Sequence, residues 1–377
     1  MSAEAGWAGL PDARAVACFI SAHGFGHATR AGAVMASLRE RDPGLHFHLF
    51  TQAPRWVFEE TLGSGFTHHA AVTDVGLAQA TALVEDLPAT LQRLDDFLPF
   101  DPHLVRHWAD WLLRLECELV ICDIAPLGLA VAQAAGLPSF LIENFTWDWI
   151  YLGYLEQAPD LGPHIDYLRD AFALAGHRLQ TEPLCAVAPA AAARLAPIAR
   201  RPRLGRAEVR AALGLAEHER MVLVTLGGLT TDLHFPAPSS ALDAVAYVLP
   251  GAASELRRDG QRVLLPYQSG LFHPDLIAAS DLVIGKVGYS TVAEAYHAGV
   301  PFGYVTRAHF RESPVMAEFV QREMQGLEIP AAAFAAGEWA EYVAALLQLP
   351  RVPAPRPNGA DQAATWVQSR FLPVQSY

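Results

Sequence analysis

The chain has 377 residues, of which 52% are hydrophobic and 18% are charged. This length is enough for two hydrophobic cores, and the composition excludes disorder over most of the chain, because disordered chains lack apolar surface. The 27 basic and 40 acidic residues give a net charge of −13, so no nucleic-acid partner is expected. The one dense basic run, between residues 200 and 210, is short and is interpreted as the face of a linker.

The cysteines and the apolar segments indicate a cytoplasmic protein. Cys18, Cys117, Cys122 and Cys185 lack the close pairs that metal sites use, so we predict buried thiols in a reducing compartment. The N-terminus has none of the basic and apolar pattern of a signal peptide. The longest apolar region, residues 119–142, is interrupted by an aspartate and two prolines, so no segment is expected to cross a membrane.

The first half of the chain alternates apolar runs with stretches of helical composition. The run at residues 15–20 leads into a glycine loop at residues 21–27, followed by a predicted helix over residues 28–41. Further strands are predicted at residues 45–50, 118–122 and 139–142. Strands separated by helix-length segments favour a parallel sheet covered by helices on both faces, and hence an open α/β domain.

A second unit repeats this arrangement after a segment rich in proline, alanine and arginine at residues 183–202. A strand over residues 221–226 runs into Gly227 and Gly228, as the first strand runs into its own glycine loop. Further strands are predicted at residues 262–265, 282–284 and 302–305, and helices at residues 290–298, 314–323 and 338–347. The predicted domains are two Rossmann-like units, residues 1–185 and 186–358, and a C-terminal helix within residues 359–377 that could pack back on the first unit.

Residues 281–294 contain a strand, two glycines, a lysine and the start of a helix. In open α/β sheets, ligands bind beyond the carboxyl ends of the strands, where helix N-termini stabilise negative charge. Backbone amides and the hydroxyls of Ser290 and Thr291 are predicted to bind a diphosphate beside Lys286, and Glu294 to accept bonds from ribose hydroxyls. The alternative is a structural strand–turn–helix junction with Ser290 as N-cap and Glu294 in solvent.

The first glycine loop carries two histidines, His23 and His27. Imidazole titrates near neutral pH, so a histidine at a strand end is suited to take a proton from an alcohol as a general base. A carboxylate behind the imidazole would fix its tautomer, and Asp123, at the end of a predicted strand, is the candidate. The alternatives are a histidine that caps the loop and an aspartate that caps the next helix. A metal site is less favoured, because the two histidines flank glycines instead of sharing a helix face.

Residues 143–151 combine aromatic rings with amide and carboxylate groups just after a predicted strand. Sugar rings and flat ligands pack on such aromatic faces, which makes the segment a candidate binding surface. The alternative is an ordinary cluster of core aromatic residues.

With these motifs the sequence resembles the two-domain GT-B nucleotide-sugar glycosyltransferases, and within them the glycosyltransferase-like N-terminal region of L-arabinokinase. The resemblance covers nearly the whole chain. It rests on five stretches in order, residues 24–30, 144–151, 274–281, 285–291 and 301–314. It implies an α/β GT-B fold, in which two Rossmann-like domains face each other across a cleft. It also implies inverting transfer of a sugar from a nucleoside diphosphate, with UDP expected, to a hydroxyl group of a small-molecule or sugar acceptor.

The resemblance also implies roles for individual residues. His27 matches the catalytic base, and Asp123 lies about where relatives keep the carboxylate behind that base. The donor site is expected to comprise Gly227, Gly228, Lys286, Gly288, Ser290, Thr291, Glu294, Arg307 and Glu312. The acceptor site is expected to comprise His23, Phe25, Asn144, Trp147 and Asp148. No cofactor and no metal ion are expected, because the lysine, the amides and the helix dipole would stabilise the leaving group.

Two departures from the family's pattern bear on the substrates. The loop at residues 23–27 has fewer glycines than that of the lipid II N-acetylglucosaminyltransferase, so a polyprenyl acceptor is not implied. Lys286 replaces the glycine that is common in the donor loop, although it matches the arabinokinase-like group. The alternative functions are a non-catalytic nucleotide-sugar-binding module and a GT-B epimerase acting on a UDP-sugar. A sugar kinase is not expected, because the resemblance lies outside the kinase half of arabinokinase.

Overall fold

The computed structural model describes residues 14–81, 84–225, 234–235 and 242–372. These residues form two mainly parallel sheets with helices packed on their faces, which confirms the predicted α/β class. Gly227 and Gly228, predicted to contact the donor, lie outside the described residues.

The first domain is built on a seven-stranded sheet. Its strands and a small hairpin are β1 (Arg14–Ile20), β2 (Leu45–Thr51), β3 (Phe66–Ala70), β4 (Gln79–Thr81), β5 (Val84–Glu85), β6 (Cys117–Asp123), β7 (Ser139–Glu143), β8 (His177–Thr181) and β9 (Ala193–Leu195). The helices are α1 (Phe25–Arg41), α2 (Arg55–Leu62), α3 (Leu87–Phe97), α4 (Pro102–Arg114), α5 (Pro126–Ala135), α6 (Trp147–Tyr151) and α7 (Gly162–Ala173), with 3-10 turns at Leu152–Tyr154 and Pro159–Leu161. The sheet order is β3-β2-β1-β6-β7-β8-β9, and every pairing in it is parallel. Strands β4 and β5 pair separately as an antiparallel hairpin.

The second domain repeats this architecture. Its strands are β10 (Arg220–Thr225), β11 (Val245–Pro250), β12 (Arg257–Asp259), β13 (Arg262–Leu265), β14 (Leu282–Lys286), β15 (Phe302–Val305) and β16 (Gly326–Glu328). The helices are α8 (Arg206–Ala212), α9 (His273–Ala279), α10 (Tyr289–Ala298), α11 (Ser313–Glu323), α12 (Ala331–Ala336) and α13 (Ala340–Leu346), and α14 (Gly359–Phe371) follows. The sheet order is β12-β13-β11-β10-β14-β15-β16, with β12 antiparallel to β13 and the other pairs parallel.

The strands are apolar runs because both faces of each sheet are covered. Along β1, Ala17 and Phe19 contribute to one hydrophobic cluster and Val16 and Cys18 to another, as the two-residue period of a strand requires. Two further clusters flank the second sheet in the same way. Continuous apolar strands are therefore the sequence signature of this double coverage.

The described cysteines are free thiols. Cys18, Cys117 and Cys122 are buried, as predicted, and Cys185 is half-buried. Burial, as the main cause, raises the pKa of the Cys117 thiol to about 12, so this group is inert near neutral pH. The cytoplasmic location inferred from these cysteines stays a prediction. Among the described residues, no helix combines the length and apolar character needed to cross a membrane.

The first domain extends past the predicted boundary at residue 185. Strand β9 pairs in parallel with β8, so the first sheet continues to Leu195 before the chain crosses to the second domain. Helix α14 returns to the first domain, where Ala363 and Val367 share a hydrophobic cluster with Val34 and Leu38 of α1. The C-terminal helix therefore completes the core of the first domain.

Candidate functional site

The carboxyl ends of strands from both sheets face one cavity of about 340 Å³. The first domain contributes the glycine loop after β1, and the second contributes the start of α10 and the segment after β15. Parallel strands bring their carboxyl ends to one edge of a sheet, which is why residues distant in sequence meet here.

His27 lies in the first turn of α1, and its ring contacts Asp123 at the end of β6. His27 Nδ1 is 3.0 Å from Asp123 Oδ1. Asp123 does not cap the following helix, whose N-cap is Ala125. His27 lines the cavity, and its Nε2 makes no hydrogen bond to any residue that the structure describes. The structure thus brings the predicted base and its carboxylate together.

Arg30 is a third member of this group, one helical turn after His27. Its Nε and Nη2 donate to the two carboxylate oxygens of Asp123 at 2.8 and 2.7 Å. Burial alone would raise the pKa of Asp123, but the Arg30 charge and the bond to His27 lower that pKa below its usual value. Asp123 is therefore ionised at neutral pH. Arg30 Nη2 also lies 3.3 Å from His27 Nδ1, but it donates to Asp123 at the shorter distance of 2.7 Å. We therefore assign Nδ1–H of His27 as donor to Asp123, which leaves the lone pair on Nε2.

His23, in the same loop, has the opposite tautomer. The backbone N–H of Leu77 donates to His23 Nδ1 at 3.4 Å, so the ring proton lies on Nε2. Burial, and then the charges of His27, Arg307 and Lys286, lower the pKa of His23 well below its usual value. His23 is thus a neutral hydrogen-bond donor on the cavity wall.

The N-terminus of α10 forms the opposite wall of the cavity. Its N-cap is Gly288, with no side-chain cap, so the alternative of Ser290 as N-cap is wrong. Gly288, Ser290 and Thr291 all line the cavity. The first backbone N–H groups of a helix have no intrahelical acceptor, and this end of α10 is suited to bind an anion.

Lys286 ends β14 beside this helix. Its ammonium lines the cavity and makes no hydrogen bond or ion pair to any described residue. Burial, as the main cause, and the Arg307 charge lower the pKa of Lys286 to about 8. The charges of Glu312 and Glu85 offset this shift in part, but neither carboxylate contacts the ammonium. A desolvated cation without a direct partner binds an anion strongly.

Glu294 and Arg307, predicted to contact the donor, are paired with protein groups. Glu294 accepts a bond from Arg200 Nε at 2.8 Å and lies 3.2 Å from His273 Nδ1. Both Arg200 and Glu294 are buried, so neither the linker-face interpretation of Arg200 nor a solvent-exposed Glu294 is correct. Arg307 Nε donates to Glu85 Oε1 of the first domain at 3.1 Å, and both side chains are buried.

Glu312 also connects the two domains. It lines the cavity and accepts a hydrogen bond from Asn144 Nδ2 at 2.7 Å. Burial, as the main cause, raises the pKa of Glu312 above its usual value.

Comparison with known proteins gives one curated relative. The chain is 28% identical to L-arabinokinase of Arabidopsis thaliana over 366 residues, which is 94% of this chain and 34% of that protein. The chain therefore spans about a third of the length of the relative that it matches. No known protein-family profile matches the chain.

Solved structures match over nearly the whole chain. The glycosyltransferase SnogD of Streptomyces nogalater is 19% identical with a TM-score of 0.55, and the match covers 95% of this chain and 96% of SnogD. UGT89C1 of Arabidopsis thaliana, solved with quercetin, is 12% identical with a TM-score of 0.63, covering 95% and 99%. The same protein solved with UDP is 11% identical with a TM-score of 0.62, covering 95% and 100%. The chain has the GT-B fold.

Only some of the predicted acceptor residues line the cavity. His23 and Phe25 line the cavity, and Phe25 meets the ring of Trp56 edge to face at 5.3 Å. Trp147 is a buried core residue whose Nε1 donates to Asp74 Oδ2 at 2.6 Å. Trp147, Asn144 and Asp148 are not among the residues that line the cavity, and Asp148 Oδ1 is buried without a hydrogen-bond partner in the described part of the chain.

Several cavity residues were not predicted from the sequence. Trp56 and Glu60 come from α2, Tyr267 comes from the segment between β13 and α9, and His273 is the first residue of α9. Trp56 packs on Phe25 within the first domain, and His273 lies beside Glu294 within the second, so neither position could be read from a glycine loop. Among the described residues, no group of three or more His, Cys, Asp or Glu side chains is arranged to hold a metal ion.

Proposed function

We propose that this protein is an inverting glycosyltransferase that moves a sugar from a nucleoside-diphosphate sugar, with UDP as the nucleotide, to a hydroxyl group of an acceptor. The observation that carries the proposal is the position of His27 between Asp123 and the open cavity, opposite Lys286 and the N-terminus of α10. A base on one wall and an anion site on the other are what such a transfer needs. The names of the similar structures support it, since they include a glycosyltransferase and complexes with UDP and quercetin.

The donor is proposed to bind on the second domain. The amides at the start of α10 and the Lys286 ammonium would hold the diphosphate, and the same groups would stabilise the charge that develops on the leaving nucleotide. This arrangement needs no metal ion. Gly288 admits the phosphates close to the backbone, because a side chain at this position would occupy the approach to the helix.

The acceptor is proposed to bind on the side of the first glycine loop. His27 Nε2 takes the proton of the acceptor hydroxyl as its oxygen attacks the anomeric carbon. The bond from that carbon to the diphosphate oxygen breaks, and its electron pair leaves with the nucleotide. The imidazolium that forms is stabilised by the Asp123 carboxylate, and a single displacement from the opposite side inverts the anomeric centre.

The proposal is tested with His27→Ala and a matched control, His164→Ala. His164 also pairs with an aspartate, Asp95, at 3.0 Å, but it lies outside the cavity. We expect His27→Ala to lower acceptor-dependent UDP release by about 1000-fold and to leave UDP affinity within about twofold, while His164→Ala keeps full turnover. Undiminished turnover in His27→Ala would contradict the assignment of His27 as the base. If calorimetry detects no UDP binding to the wild-type protein, the proposed donor site is wrong.

The choice of donors follows from the curated relative. The name L-arabinokinase points to arabinose, so UDP conjugates of pentoses are the first to screen, followed by those of hexoses. Chromatography of reactions without acceptor separates transfer from the two alternatives. A new UDP-sugar would indicate an epimerase, and binding without any product would indicate a binding module.

A further inference from the structure

A continuous chain of buried hydrogen bonds runs from the His27 ring to the second domain. Asp123 joins His27 to Arg30, and Arg30 Nη1 donates to Asn144 Oδ1 at 2.6 Å. Asn144 Nδ2 then donates to Glu312 Oε1 at 2.7 Å. Arg30 and Asn144 are essentially inaccessible to solvent, with exposed fractions of 1% and 0%.

Asn144 uses both ends of its amide in this chain. The carbonyl end accepts from a guanidinium, which can only donate, and the amino end donates to a carboxylate. An aspartate at this position could not donate to Glu312 when ionised, and an apolar side chain could serve neither partner. The residue type is therefore matched to a contact between a cation of one domain and an anion of the other.

The contact forms across the domain boundary. Asn144 directly follows β7 of the first sheet, whereas Glu312 directly precedes α11 of the second domain. The guanidinium of Arg30 also lies over the ring of Tyr289 in α10, 4.6 Å from its centroid. Arg30 thus meets the second domain twice, once through Asn144 and once through Tyr289, while its other nitrogens hold Asp123.

We propose that Asn144 is a positioning residue that links the contact between the two domains to the geometry of the His27–Asp123 pair. Glu312 orients the amide of Asn144, the amide holds Arg30, and Arg30 fixes the carboxylate that determines the tautomer of His27. This inference rests on the proposed function, since it assigns a role toward the base of that reaction. Asn144 acts through Arg30 and Asp123 and does not touch the substrates.

The test compares Asn144→Leu with Gln180→Leu. Gln180 is also a buried amide with three hydrogen-bond partners in the first domain, Glu143 at 2.9 Å, the Ala186 carbonyl at 2.7 Å and the Ala188 N–H at 2.8 Å, but it has no bond to the chain from His27. We expect Asn144→Leu to lower kcat about 100-fold with UDP affinity within about twofold, because misplacement of a catalytic group affects turnover more than binding. Gln180→Leu is expected to lower stability and keep kcat.

A second readout is independent of turnover. In protein labelled with ¹⁵N-histidine, the signals of His27, assigned with His27→Gln, report a protonated Nδ1 in the wild type and a mixture of tautomers in Asn144→Leu. If Asn144→Leu does not fold, Asn144→Ala replaces it, because it removes the hydrogen bonds to Arg30 and Glu312 without placing a bulky apolar side chain against them. That variant is expected to lower kcat about 10-fold, as for lost hydrogen bonds to charged groups.

Two results separate the inference from the proposed function. If the wild-type protein turns over no donor, the proposed function is wrong. The NMR signals of the His27 ring then test by themselves whether Asn144 positions that ring. An Asn144 variant with wild-type kcat, or with an unchanged His27 tautomer, overturns the inference.

Discussion

The Ser290 hydroxyl of the second domain lies 3.0 Å from the carbonyl oxygen of Gly26 in the first domain. The Thr29 hydroxyl lies 2.7 Å from that of Ser290 and 3.0 Å from the same carbonyl. The two glycine loops therefore contact each other directly, at the wall where the donor diphosphate is proposed to bind. A phosphate that accepts from the Ser290 hydroxyl must replace its bond to Gly26, so donor binding and the contact between the domains compete for one proton.

The two hydroxyls are expected to differ in their effect on UDP binding. Ser290→Ala removes a phosphate ligand and should weaken UDP binding about 10-fold, since a hydrogen bond to a charged group contributes about 1.5–3 kcal/mol. Thr29→Val removes a hydroxyl from the same contact but no phosphate ligand, and should leave UDP affinity within about twofold. Isothermal titration calorimetry measures the UDP affinity of both variants. Equal affinities for Ser290→Ala and the wild type would show that Ser290 does not bind the donor.

UDP affinity is expected to fall as the pH rises above about 8. Burial, as the main cause, lowers the pKa of Lys286 from 10.5 to about 8, so this ammonium is charged below pH 8 and neutral above it. A bound diphosphate favours the charged form, and binding at pH 8 should take up about half a proton. Calorimetry in buffers of different ionisation enthalpy measures this uptake.

Lys286→Arg is the control for this pH dependence. Its guanidinium stays charged over the whole range, so the affinity of this variant should not change between pH 7 and 10. Lys286→Gln should show, already at pH 7, the weak binding that the wild type reaches at high pH. A wild-type affinity that is constant across this range would contradict the assignment of Lys286 to the diphosphate.

Much of the site could be predicted because parallel strands order their carboxyl ends. The apolar runs that end at Ile20 and Asp123 are neighbouring strands in register, so the loop with His27 and the carboxylate meet at one sheet edge. Arg30 was not predicted as a partner of Asp123, although it follows His27 at the three-residue spacing that places side chains on one helix face. Strand β3 escaped prediction because its core-facing pattern is obscured by His68 and His69.

The contacts between domains could not be predicted in the same way. Glu294 was predicted to contact a ribose and Arg307 to face a diphosphate, and both line the cavity, but the sequence did not reveal that each has a buried ion-pair partner. Arg200, the partner of Glu294, lies 94 residues away and packs within the second domain, over the ring of Phe272. Glu85, the partner of Arg307, lies 222 residues away and arrives through the docking of the two domains. The aromatic segment around Trp147 was equally ambiguous, since a core residue and a ligand platform have the same composition.

The Arg200–Glu294 ion pair is expected to be a large contributor to stability. Both side chains are buried, with exposed fractions of 6% and 3%, and removal of Arg200 leaves the Glu294 carboxylate with His273 as its remaining partner. Arg200→Met should lower the free energy of unfolding by about 3–5 kcal/mol. The neighbouring Arg201, half-exposed and paired with Glu40 at 2.8 Å and with Asp361, is the control, and Arg201→Met should cost about 1 kcal/mol or less.

The pH dependence of the stability lost in Arg200→Met shows whether the loss comes from charge pairing. Burial alone would raise the pKa of Glu294, but Arg200 and His273 lower it below its usual value of 4.5. The stability contributed by the pair is therefore present above pH 4.5 and is lost as the pH falls through the lowered value. Urea unfolding at several pH values should show the gap between Arg200→Met and the wild type narrowing below about pH 4.5. A gap that is constant with pH would indicate lost packing instead of lost charge pairing.

The return of the C-terminal helix to the first domain depends on the absence of a side chain at residue 359. A Cβ atom at Gly359 would lie 1.9 Å from the carbonyl oxygen of Ala196, and the Gly359 N–H donates to the Pro197 carbonyl at 3.0 Å. Gly359→Ala should therefore displace α14 and destabilise the first domain by about 1–3 kcal/mol, as overpacking does. At Gly162, at the start of α7, a Cβ atom would meet no described neighbour within 4 Å, so Gly162→Ala should be neutral or stabilise by about 0.4–1 kcal/mol. Urea unfolding followed by tryptophan fluorescence measures both, and a Gly359→Ala variant as stable as Gly162→Ala would show that α14 docks without this close approach.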